Sequence, residues 1–445
     1  MKKYYQAALV VTAVTSLICL LVYRHQYYKL RYVLEVFNYF GKYEPRGANG
    51  SCVNFDSTLT AFNSKFDEPI PSWQRLENDL YVYSAYSIDY RTRKEIRAIG
   101  VGNITSVFNM QCLVFFESES KPILGNFNFV PISKYYTSNY YSVQNFMYKG
   151  YHFVCGYSGN ETATGITFVT KSNRYLNYAP IIPIKTLPQN LDDNSRTSVC
   201  VMQSSVKSML PNTIDMMGFV SFHALVGMNN FIVYDNGIPN RFNSRLKRMA
   251  NDPSSFQKFT YTVVPWNFPF TEIDETIARE IAVADCLYRS YNNVAYSVVL
   301  SWNEYVVPRY HRTTVDLIAD IRRTESASDR YGLKSKFFCT QQSDNKKHVN
   351  STLTLFKKTK TGIASKDHFV YIYHPHEMLH AELQGRREIR TTQIGQNLIS
   401  VNQYKHCDGN MKVVEDSTVF RFVEDLQNSW IFKKYREFDM PYVKV

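Results

Sequence analysis

Four short runs of β-branched and aromatic residues determine the predicted fold of this chain. They are SVCVMQSS (198–205), NFIVYDNG (230–237), FTYTVVPW (259–266) and AYSVVLS (295–301). The segments between them have helical spacing, and the predicted helices run from Ile214 to Val226, around Phe242 to Met249, and from Ile273 to Tyr291. Strands that alternate with helices are typical of an α/β domain with a largely parallel sheet.

Ligands of such a sheet bind beyond the carboxyl ends of its strands. Three predicted strand ends carry polar or aromatic residues, at Tyr234-Asp235-Asn236-Gly237, Pro265-Trp266-Asn267 and Ser301-Trp302-Asn303-Glu304. Asp235 is placed to bind the base or ribose of a nucleotide. Asp-Asn-Gly is equally typical of a turn in which the aspartate caps the next helix. The two interpretations of Asp235 are compatible, and both stay open.

The chain upstream of this domain has a different pattern. Short aromatic and β-branched runs, such as LYVYSAY (80–86), CLVFF (112–116) and GITFVT (165–170), alternate with Asn, Gly and Ser, which predicts a β-rich subdomain. The predicted organisation is a short tail (1–6), a membrane anchor (7–23), a stem (24–75), the β-rich subdomain (76–195) and the α/β domain (196–445).

The predicted anchor is the uncharged run AALVVTAVTSLICLLVY (7–23), which has basic residues on both sides. As a helix it would span roughly 25 Å, close to the ~30 Å hydrocarbon core of a bilayer. A cleaved signal peptide is the alternative, but bulky residues occupy the positions of a small-x-small cleavage site. Four Asn-x-Ser/Thr sequons follow the anchor, at Asn49, Asn103, Asn160 and Asn350. We therefore expect a single-pass type II protein of the Golgi or another secretory membrane, with a lumenal carboxyl-terminal side.

Cysteine usage and charge agree with this compartment. Seven cysteines lie outside the anchor without a Cys-x-x-Cys pair, which favours disulfides over zinc or redox chemistry. An odd number leaves at least one of them without a partner in the chain. The net charge of +12 is spread along the sequence and not clustered, so nucleic acid is not an expected partner. A diffuse positive field still attracts small anions.

The blocks from Val199 onward resemble glycosyltransferase family 92. They occur in the order VCVMQSS, HALVGMNNFIVYDNG, VVPWNFP and DCLYRSYNNVAYSVVLSWNEYVVPR, where the family carries D-C-x-x-R and then a strand that ends in D-x-D-E. Upstream, Tyr83 to Tyr86 resembles the family's opening segment, so the likeness extends from about Leu80 to Tyr442. It implies a GT-A type, Rossmann-like domain, a UDP-sugar donor, a glycan acceptor, inverting transfer of a hexose such as galactose, and a Mn²⁺ ion.

The resemblance also implies roles for particular residues. It implies donor binding for Asp285 and Arg289 of the D-C-x-x-R block and for Ser301 and Asn303 of the metal motif. The strand-end positions alone predict donor binding for Tyr234, Asp235, Asn236 and Trp266. For Arg289, an ordinary ion pair on its helix is the alternative to a phosphate contact. Glu304 matches the last acid of D-x-D-E and is the predicted catalytic residue, because an inverting transfer needs a carboxylate base. Glu415 and Asp416 are the other candidates for that base.

The metal motif departs from the family pattern. Ser301-Trp302-Asn303 stands where two aspartates are expected, and neutral oxygens bind Mn²⁺ less tightly than carboxylates, so Asn303 is at best a weak metal ligand. Gln403 stands where the family has a possible metal-binding histidine, and His406 lies three residues further on. These departures favour metal-independent catalysis, a changed donor, or a pseudoenzyme that binds glycan or nucleotide-sugar without transfer.

One motif indicates another class of enzyme. His376-Glu377-Met378-Leu379-His380 has the H-E-x-x-H pattern with which zinc metalloproteases bind zinc and place a glutamate base. Pro375 directly precedes the motif, and no glutamate lies between Glu388 and Glu415 to serve as third ligand. The alternatives are that His376, His380 or His406 contributes to a sugar site, or that these histidines are structural.

Overall fold

The computed structural model describes most of the chain between residues 72 and 439. The described ranges are 72–77, 80–90, 93–117, 121–136, 148–158, 161–170, 179–187, 196–203, 210–255, 257–268, 275–324, 328–348, 351–362, 368–386, 388–407 and 413–439. Within the predicted anchor, Thr15, Ser16, Cys19 and Leu21 are described, and all four are helical. No helix among the described residues is long and apolar enough to cross a membrane. The rest of the anchor, the stem up to residue 71, and the sequons at Asn49, Asn160 and Asn350 lie outside the described residues.

The first sheet forms the β-rich part of the molecule. Its strands are β1 (Gln74–Glu77), β2 (Leu80–Tyr90), β3 (Arg93–Asn103), β4 (Met110–Phe116), β5 (Ile123–Pro131), β6 (Tyr148–Tyr157), β7 (Ala163–Thr170) and β8 (Ile182–Thr186). They are ordered β1-β2-β3-β6-β5-β4-β7-β8, and β8 also pairs with β2, so β2 to β8 form a closed barrel. Two short helices, α1 (Ile104–Val107) and α2 (Ser133–Tyr136), connect its strands.

The second sheet begins with the alternating elements that the sequence predicts. They are β9 (Thr197–Met202), α3 (Thr213–Leu225), β10 (Asn230–Asp235), α4 (Asn240–Ala250), β11 (Thr260–Pro265), α5 (Glu275–Ser290) and β12 (Tyr296–Ser301). All pairings among β11, β10, β9 and β12 are parallel. The prediction of an α/β domain is thereby confirmed, whereas the largely parallel sheet is found only from β11 to β12, because the main path continues with antiparallel pairs.

The remaining elements extend this sheet with antiparallel and parallel partners. They are β13 (Glu304–Pro308), α6 (Thr314–Thr324), β14 (Arg330–Cys339), α7 (Thr354–Lys357), β15 (Lys360–Gly362), β16 (Phe369–Tyr373), α8 (Pro375–Leu383), β17 (Thr391–Ile394), β18 (Ile399–Lys405), β19 (Val413–Glu415), a 3₁₀ helix (Thr418–Phe422), α9 (Val423–Asn428) and α10 (Trp430–Asp439). The main path of the sheet is β11-β10-β9-β12-β16-β14-β15-β19, and β13 pairs with β18 beside it.

The strand order creates a crevice at the carboxyl ends of β9 and β12. From β9 the chain continues to β10 and β11 on one side, and it then returns to place β12 on the other side of β9. Neighbouring strands whose connections leave in opposite directions leave a gap at their carboxyl ends, and α/β sheets bind ligands at this point. In this chain the crevice lies between Gln203, after β9, and the turn Ser301–Glu304, after β12.

Side chains that alternate along the strands build two hydrophobic cores. Val199, Val201, Val298 and Leu300 pack with α3, α4 and α6 on one face. Cys200, Met202 and Val299 pack with α5 on the opposite face. This alternation follows from the two-residue period of a strand, which directs successive side chains to opposite faces.

The long helix α5 is buried between the sheet and the barrel. The periodicity of Ile277, Ile281, Ala284 and Tyr288 predicts one apolar face on the sheet, and all four are buried. Ile281 lies against the barrel, because a Cβ added to Gly150 of β6 would be only 2.9 Å from its Cγ1. The helix therefore packs against the barrel as well as against the sheet.

Three disulfides join the described cysteines outside the anchor. Cys112–Cys155 lies within the barrel, Cys200–Cys286 fastens α5 to β9, and Cys339–Cys407 joins the end of β14 to the residues after β18. The predicted odd cysteine is then Cys52, which lies outside the described residues.

Candidate functional site

The turn between β12 and β13 carries a fully buried carboxylate. Glu304 is 0% exposed, and its Oε1 and Oε2 accept hydrogen bonds from the two terminal nitrogens of Arg279 at 3.1 and 2.9 Å. Oε2 also accepts the backbone N–H of Ser301 at 2.8 Å. Nε2 of Gln403 lies 3.4 Å from Oε1. We call Arg279, Ser301, Glu304 and Gln403 the Glu304 cluster.

The fold explains why these four residues meet. Antiparallel pairing of β13 with β18 sets Glu304 opposite Gln403. Helix α5 crosses the same face of the sheet, and Arg279 also donates to the carbonyl oxygen of Val299 at 2.7 Å. The predicted site residues Ser301 and Glu304 and the metal-position residue Gln403 are thus brought together from segments about a hundred residues apart.

The Glu304 cluster keeps its guanidinium charged and partly accessible. Burial opposes the charge of Arg279, but the attraction of Glu304 outweighs it and the pKa of Arg279 lies above its ordinary value. The Arg279 side chain is 27% exposed, and its Nε–H makes no hydrogen bond within the described part of the chain. His368 lies nearby, and its pKa is lowered mainly by burial while Glu304, Arg279 and Lys405 act on it electrostatically. Around His368, the two cations Arg279 and Lys405 thus outnumber the one carboxylate, Glu304, and this positive surplus suits an anionic ligand.

The residues at this turn do not fit a tightly held divalent ion. Mn²⁺ and Mg²⁺ prefer several carboxylate oxygens, whereas Glu304 is the one carboxylate here and is already paired with a guanidinium. The hydroxyl of Ser301 and Oδ1 of Asn303 are buried and have no hydrogen-bond partner among the described residues, but both are neutral. Among the described residues, no group of three or more His, Cys, Asp and Glu could hold a metal.

The residues at the end of β10 form a hydrogen-bonded turn, and the side-chain amide of Asn236 connects this turn to the crevice. Oδ1 of Asp235 accepts the backbone N–H groups of Gly237 and Ile238 at 3.0 and 2.8 Å, and Oδ2 accepts from Asn243 at 3.1 Å. This is the turn-forming role that the sequence left open for Asp235. Asn236 instead donates to Oε1 of Gln203 at 3.2 Å, which connects this turn to the crevice.

The predicted donor residues Tyr234 and Trp266 lie in an aromatic layer below the strand ends. Both are buried, and their ring centroids are 5.0 Å apart in an edge-to-face contact. Trp266 also packs against Trp73 and Tyr83 of the barrel. These contacts join the barrel to the sheet.

The D-C-x-x-R block forms a joint between the two sheets. Asp285 is 0% exposed and accepts hydrogen bonds from the hydroxyls of Ser84 and Tyr86 on the barrel and of Tyr234 on β10, at 2.7, 2.7 and 2.8 Å. Arg289, one turn later on α5, forms an ion pair with it. Burial would raise the pKa of Asp285, but Arg289, Lys185 and these hydrogen bonds outweigh burial and hold it at about 2. Arg289 thus has the helical ion pair that the sequence offered as its alternative role.

A cavity of about 300 Å³ lies on the α3 side of the same crevice. Its lining residues are Gln203, Leu210, Pro211, Asn212, Asp215, Trp302, Asn303, Tyr305, Thr340, Thr354 and Tyr404. Asn303 is the predicted site residue that lines it, and Nδ2 of Asn303 donates to the carbonyl oxygen of Tyr404 at 2.8 Å. Glu304 and Arg279 are not part of this wall.

The H-E-x-x-H segment forms a helix near the amino ends of the parallel strands, away from the crevice. His376 and His380 lie on one face of α8 with parallel rings 6.3 Å apart. His376 stacks on Tyr291, which precedes β12, so the motif lies near the amino end of a strand whose carboxyl end leads to Glu304. Glu377 forms an ion pair with Arg390. The zinc-site hypothesis thus has its two imidazoles on one helix face, but no third ligand among the described residues.

The other candidates for the base and the metal lie away from the Glu304 cluster. Glu415 is exposed on β19 and accepts a hydrogen bond from Asn345. Asp416 pairs with Lys336 at 2.7 Å. Burial would raise the pKa of Asp416, but hydrogen bonds from Lys336 and Thr418 outweigh burial and hold it at about 2, too low for an efficient base near neutral pH. His406 is exposed, just beyond β18.

Sequence reasoning did not identify Arg279 or His368. Arg279 lies two residues after Ile277, outside the apolar stripe of α5, and a charged residue there is expected at the surface. The sequence contained a signal for a nearby cation. Glu304 follows the next strand, but Ser301 and Asn303 stand where the family has aspartates. A buried acid without a metal needs another cation.

Together, the crevice, the Glu304 cluster and the cavity define an α/β protein with a candidate ligand site at the carboxyl ends of parallel strands. The chain belongs to glycosyltransferase family 92, whose model matches residues 203–440.

No curated protein matches the chain. Among solved structures, S. aureus TarS (residues 1–349) in complex with UDP is similar over 47% of this chain and 60% of its own, with 11% identity and a TM-score of 0.25. A UDP-glucose pyrophosphorylase complexed with UDP-glucose is similar over 54% of this chain and 98% of its own, with 10% identity and a TM-score of 0.22. Similarity at this level does not establish a shared substrate.

Proposed function

We propose that this chain transfers a hexose, galactose in the first instance, from a UDP-sugar to a glycan acceptor with inversion, using a GT-A type domain. One observation carries the proposal beyond family membership. Residues that the family pattern assigns to the reaction centre, Ser301, Glu304 and Gln403, meet at the crevice where α/β sheets bind ligands.

Arg279 supplies the positive charge for the donor in this proposal. A UDP-sugar brings a diphosphate, whose charge grows on the leaving group as the glycosidic bond breaks, and fixed cations stabilise such a developing charge. The guanidinium is charged, partly exposed and held in place by Glu304. In this proposal, its Nε–H binds the donor phosphates, since the terminal nitrogens already donate to Glu304 and Val299.

Glu304 has two possible tasks, and the geometry favours one of them. A catalytic base must reach the acceptor hydroxyl directly, whereas both oxygens of Glu304 accept hydrogen bonds from Arg279 and Ser301. We therefore assign Glu304 first to the positioning of Arg279. Its predicted role as base requires the guanidinium to swing towards the donor and release one carboxylate oxygen.

Transfer without a firmly bound Mn²⁺ follows from the same residues. Neutral groups at Ser301, Asn303 and Gln403 lower the affinity for a divalent ion, and Arg279 repels it. We expect chelator to leave UDP binding within about twofold, as judged by calorimetry.

The decisive experiment incubates the purified lumenal part with a panel of UDP-sugars and glycan acceptors, with Mn²⁺ and with chelator. Arg279→Gln should weaken UDP binding about tenfold or more, the effect of one lost charge-assisted contact of about 1.5–3 kcal/mol. Arg323→Gln is the control, since this exposed arginine lies in a surface ion pair. Transfer abolished by chelator would contradict metal independence, and absence of binding of every UDP-sugar would contradict the donor assignment.

A pseudoenzyme is the second candidate, and the pairing of both Glu304 oxygens with Arg279 favours it. A carboxylate that stays paired with Arg279 binds no acceptor proton, so donor binding without turnover would result. The same panel separates the two functions, because the pseudoenzyme binds UDP or glycan yet releases no UDP from the UDP-sugar.

For the compartment, we propose a single-pass type II protein of the Golgi or another secretory membrane, anchored by residues 7–23. Three disulfides support an oxidising lumenal environment for the folded part. Asn103 is described and partly exposed, which supports its use as a glycosylation site.

A further inference from the structure

The cavity on the α3 side of the crevice differs chemically from the Glu304 cluster. Among its lining residues, Asp215 is the single one with a charged side chain. Oδ1 of Asp215 accepts the backbone N–H of Thr354, and Oδ2 accepts the Thr354 hydroxyl and the Asn212 amide, all at 2.8–2.9 Å. The carboxylate is thereby turned into the wall, and the open surface consists of amides, hydroxyls and aromatic rings.

Two polar atoms of this wall have no hydrogen-bond partner in the described part of the chain. They are the indole N–H of Trp302 and Oδ1 of Asn303, and both are buried. Trp302 is 3% exposed and is held between Phe219 and Phe242. An unsatisfied buried polar group costs about 1–3 kcal/mol. A ligand that offers both an acceptor and a donor, such as a hydroxyl group, would remove this cost.

The adjoining part of the wall supplies the aromatic rings of Tyr305 and Tyr404, whose hydroxyls donate to the carbonyl oxygens of Asp215 and Leu355. Tyr305 and Tyr404 meet edge to face with ring centroids 5.6 Å apart. Thr340 follows directly on the Cys339–Cys407 disulfide, and its N–H donates to the carbonyl oxygen of Lys405 at 2.9 Å. The disulfide therefore constrains the backbone that carries Thr340.

We propose that this cavity binds one neutral hexose unit and not the nucleoside diphosphate. Aromatic rings match the C–H surface of a sugar ring, and the amide oxygen of Asn303 and the indole N–H of Trp302 match its hydroxyls. A volume of about 300 Å³ lies at the lower end of the range for small-molecule sites, roughly 300–1,000 Å³, which suits a single ring. A diphosphate would enter without a cation and would approach Asp215, so it is disfavoured.

The hexose can come from the sugar of the donor or from the terminal unit of the acceptor glycan, and this choice rests on the proposed function. Binding of a neutral hexose does not depend on transfer. It is therefore measured directly, with methyl hexopyranosides as probes and UDP as the anionic comparison.

The test uses saturation-transfer NMR and tryptophan fluorescence on the purified full-length chain. Trp302→Phe removes the indole N–H and keeps a ring; Trp430→Phe makes the same change on α10, outside the cavity. We expect at least one methyl hexoside to bind the wild type and the Trp430 variant, and to bind Trp302→Phe at least tenfold more weakly. UDP affinity should change less than twofold in all three proteins.

A second variant tests the cavity independently, in case Trp302→Phe does not fold. Thr340→Phe places a ring into the open cavity from its half-buried rim, and it should abolish hexoside binding while circular dichroism stays unchanged. Hexoside binding that survives in both variants, or competition between UDP and the hexoside for the cavity, would overturn the proposal.

Transfer kinetics distinguish failure of the proposal from failure of the proposed function. Hexoside binding without any turnover would retain the cavity site and reject the transferase. Turnover with an unchanged KM for donor and acceptor in Trp302→Phe would retain the transferase and reject the cavity site. A raised KM for the acceptor alone, or for the UDP-sugar alone, would support the cavity site and identify which sugar occupies it.

Discussion

Asp285 and Glu304 are both fully buried carboxylates paired with an arginine of α5, but the two pairs have different surroundings. Asp285 receives three hydroxyl groups and Arg289, from both the barrel and the sheet. Glu304 receives Arg279 and the strand-end turn, and it lies at the crevice. The Arg289 side chain is 18% exposed and that of Arg279 is 27% exposed.

The difference separates a structural joint from a candidate reaction centre. Every oxygen of Asp285 is used to hold two sheets together, so no ligand can compete for it at a tolerable cost. The Glu304 cluster instead presents an accessible cation beside an open crevice. A family motif can therefore contain either kind of pair. In this chain, the D-C-x-x-R motif contains Asp285 and Arg289, the pair that joins the two sheets.

The largest expected effect is on the joint. Asp285→Asn leaves Arg289 and three hydroxyls without their anion, and breaking a buried pair typically costs about 3–5 kcal/mol. Urea unfolding should show this loss. Asp320→Asn, in an exposed ion pair with Arg323, is the control and should cost less than about 1 kcal/mol. Equal losses for the two variants would show that Asp285 contributes no more than a surface ion pair.

Acid should weaken the same joint. The folded-state pKa of Asp285, about 2, lies below its ordinary value of 3.8, so its contribution is present above about pH 4 and is lost as the pH falls towards 2. The shift corresponds to roughly 2 kcal/mol. The stability gap between wild type and Asp285→Asn should therefore narrow below pH 4 in urea titrations. A gap that stays constant down to pH 2 would contradict this linkage. Asp416 has a similarly low pKa, but it titrates in both proteins, so its contribution cancels in the stability difference between them.

The Glu304 cluster should respond in the opposite way, with little change in stability and a clear change in ligand affinity. Glu304→Gln keeps the shape, and Arg279 can turn towards water, so we expect a cost of about 1–2 kcal/mol in unfolding. UDP binding should weaken about tenfold, because the guanidinium is no longer held. A stability loss equal to that of Asp285→Asn with unchanged UDP affinity would make this pair a second joint.

The smallest effect is expected at Asn103, far from both pairs. Its side chain caps α1 by accepting from the N–H of Thr105 at 3.1 Å, while Nδ2 remains for a glycan. Asn103→Gln in a secretory host should lower the mass by one glycan, cost about 1 kcal/mol or less, and leave UDP affinity unchanged. An unaltered mass would exclude glycosylation at this sequon.

The sequence by itself determined the order of strands and helices in the parallel sheet, because that pattern depends on the two-residue period of strands and the spacing of helices. It also located the strand ends that carry Asp235, Asn303 and Glu304. It could not assign their roles. Asp235 closes a turn, while Asn303 and Glu304 face opposite sides of one crevice.

Only the tertiary structure decided which residues became partners. Ser84 and Asp285 are separated by 201 positions, and Glu304 and Gln403 by 99, so no local pattern records these contacts. The burial of a charge is likewise a property of the packed chain, and it made Arg279 the cation of Glu304. The local period of a segment fixes its secondary structure, whereas desolvation and pairing across the fold fix what its charged residues do.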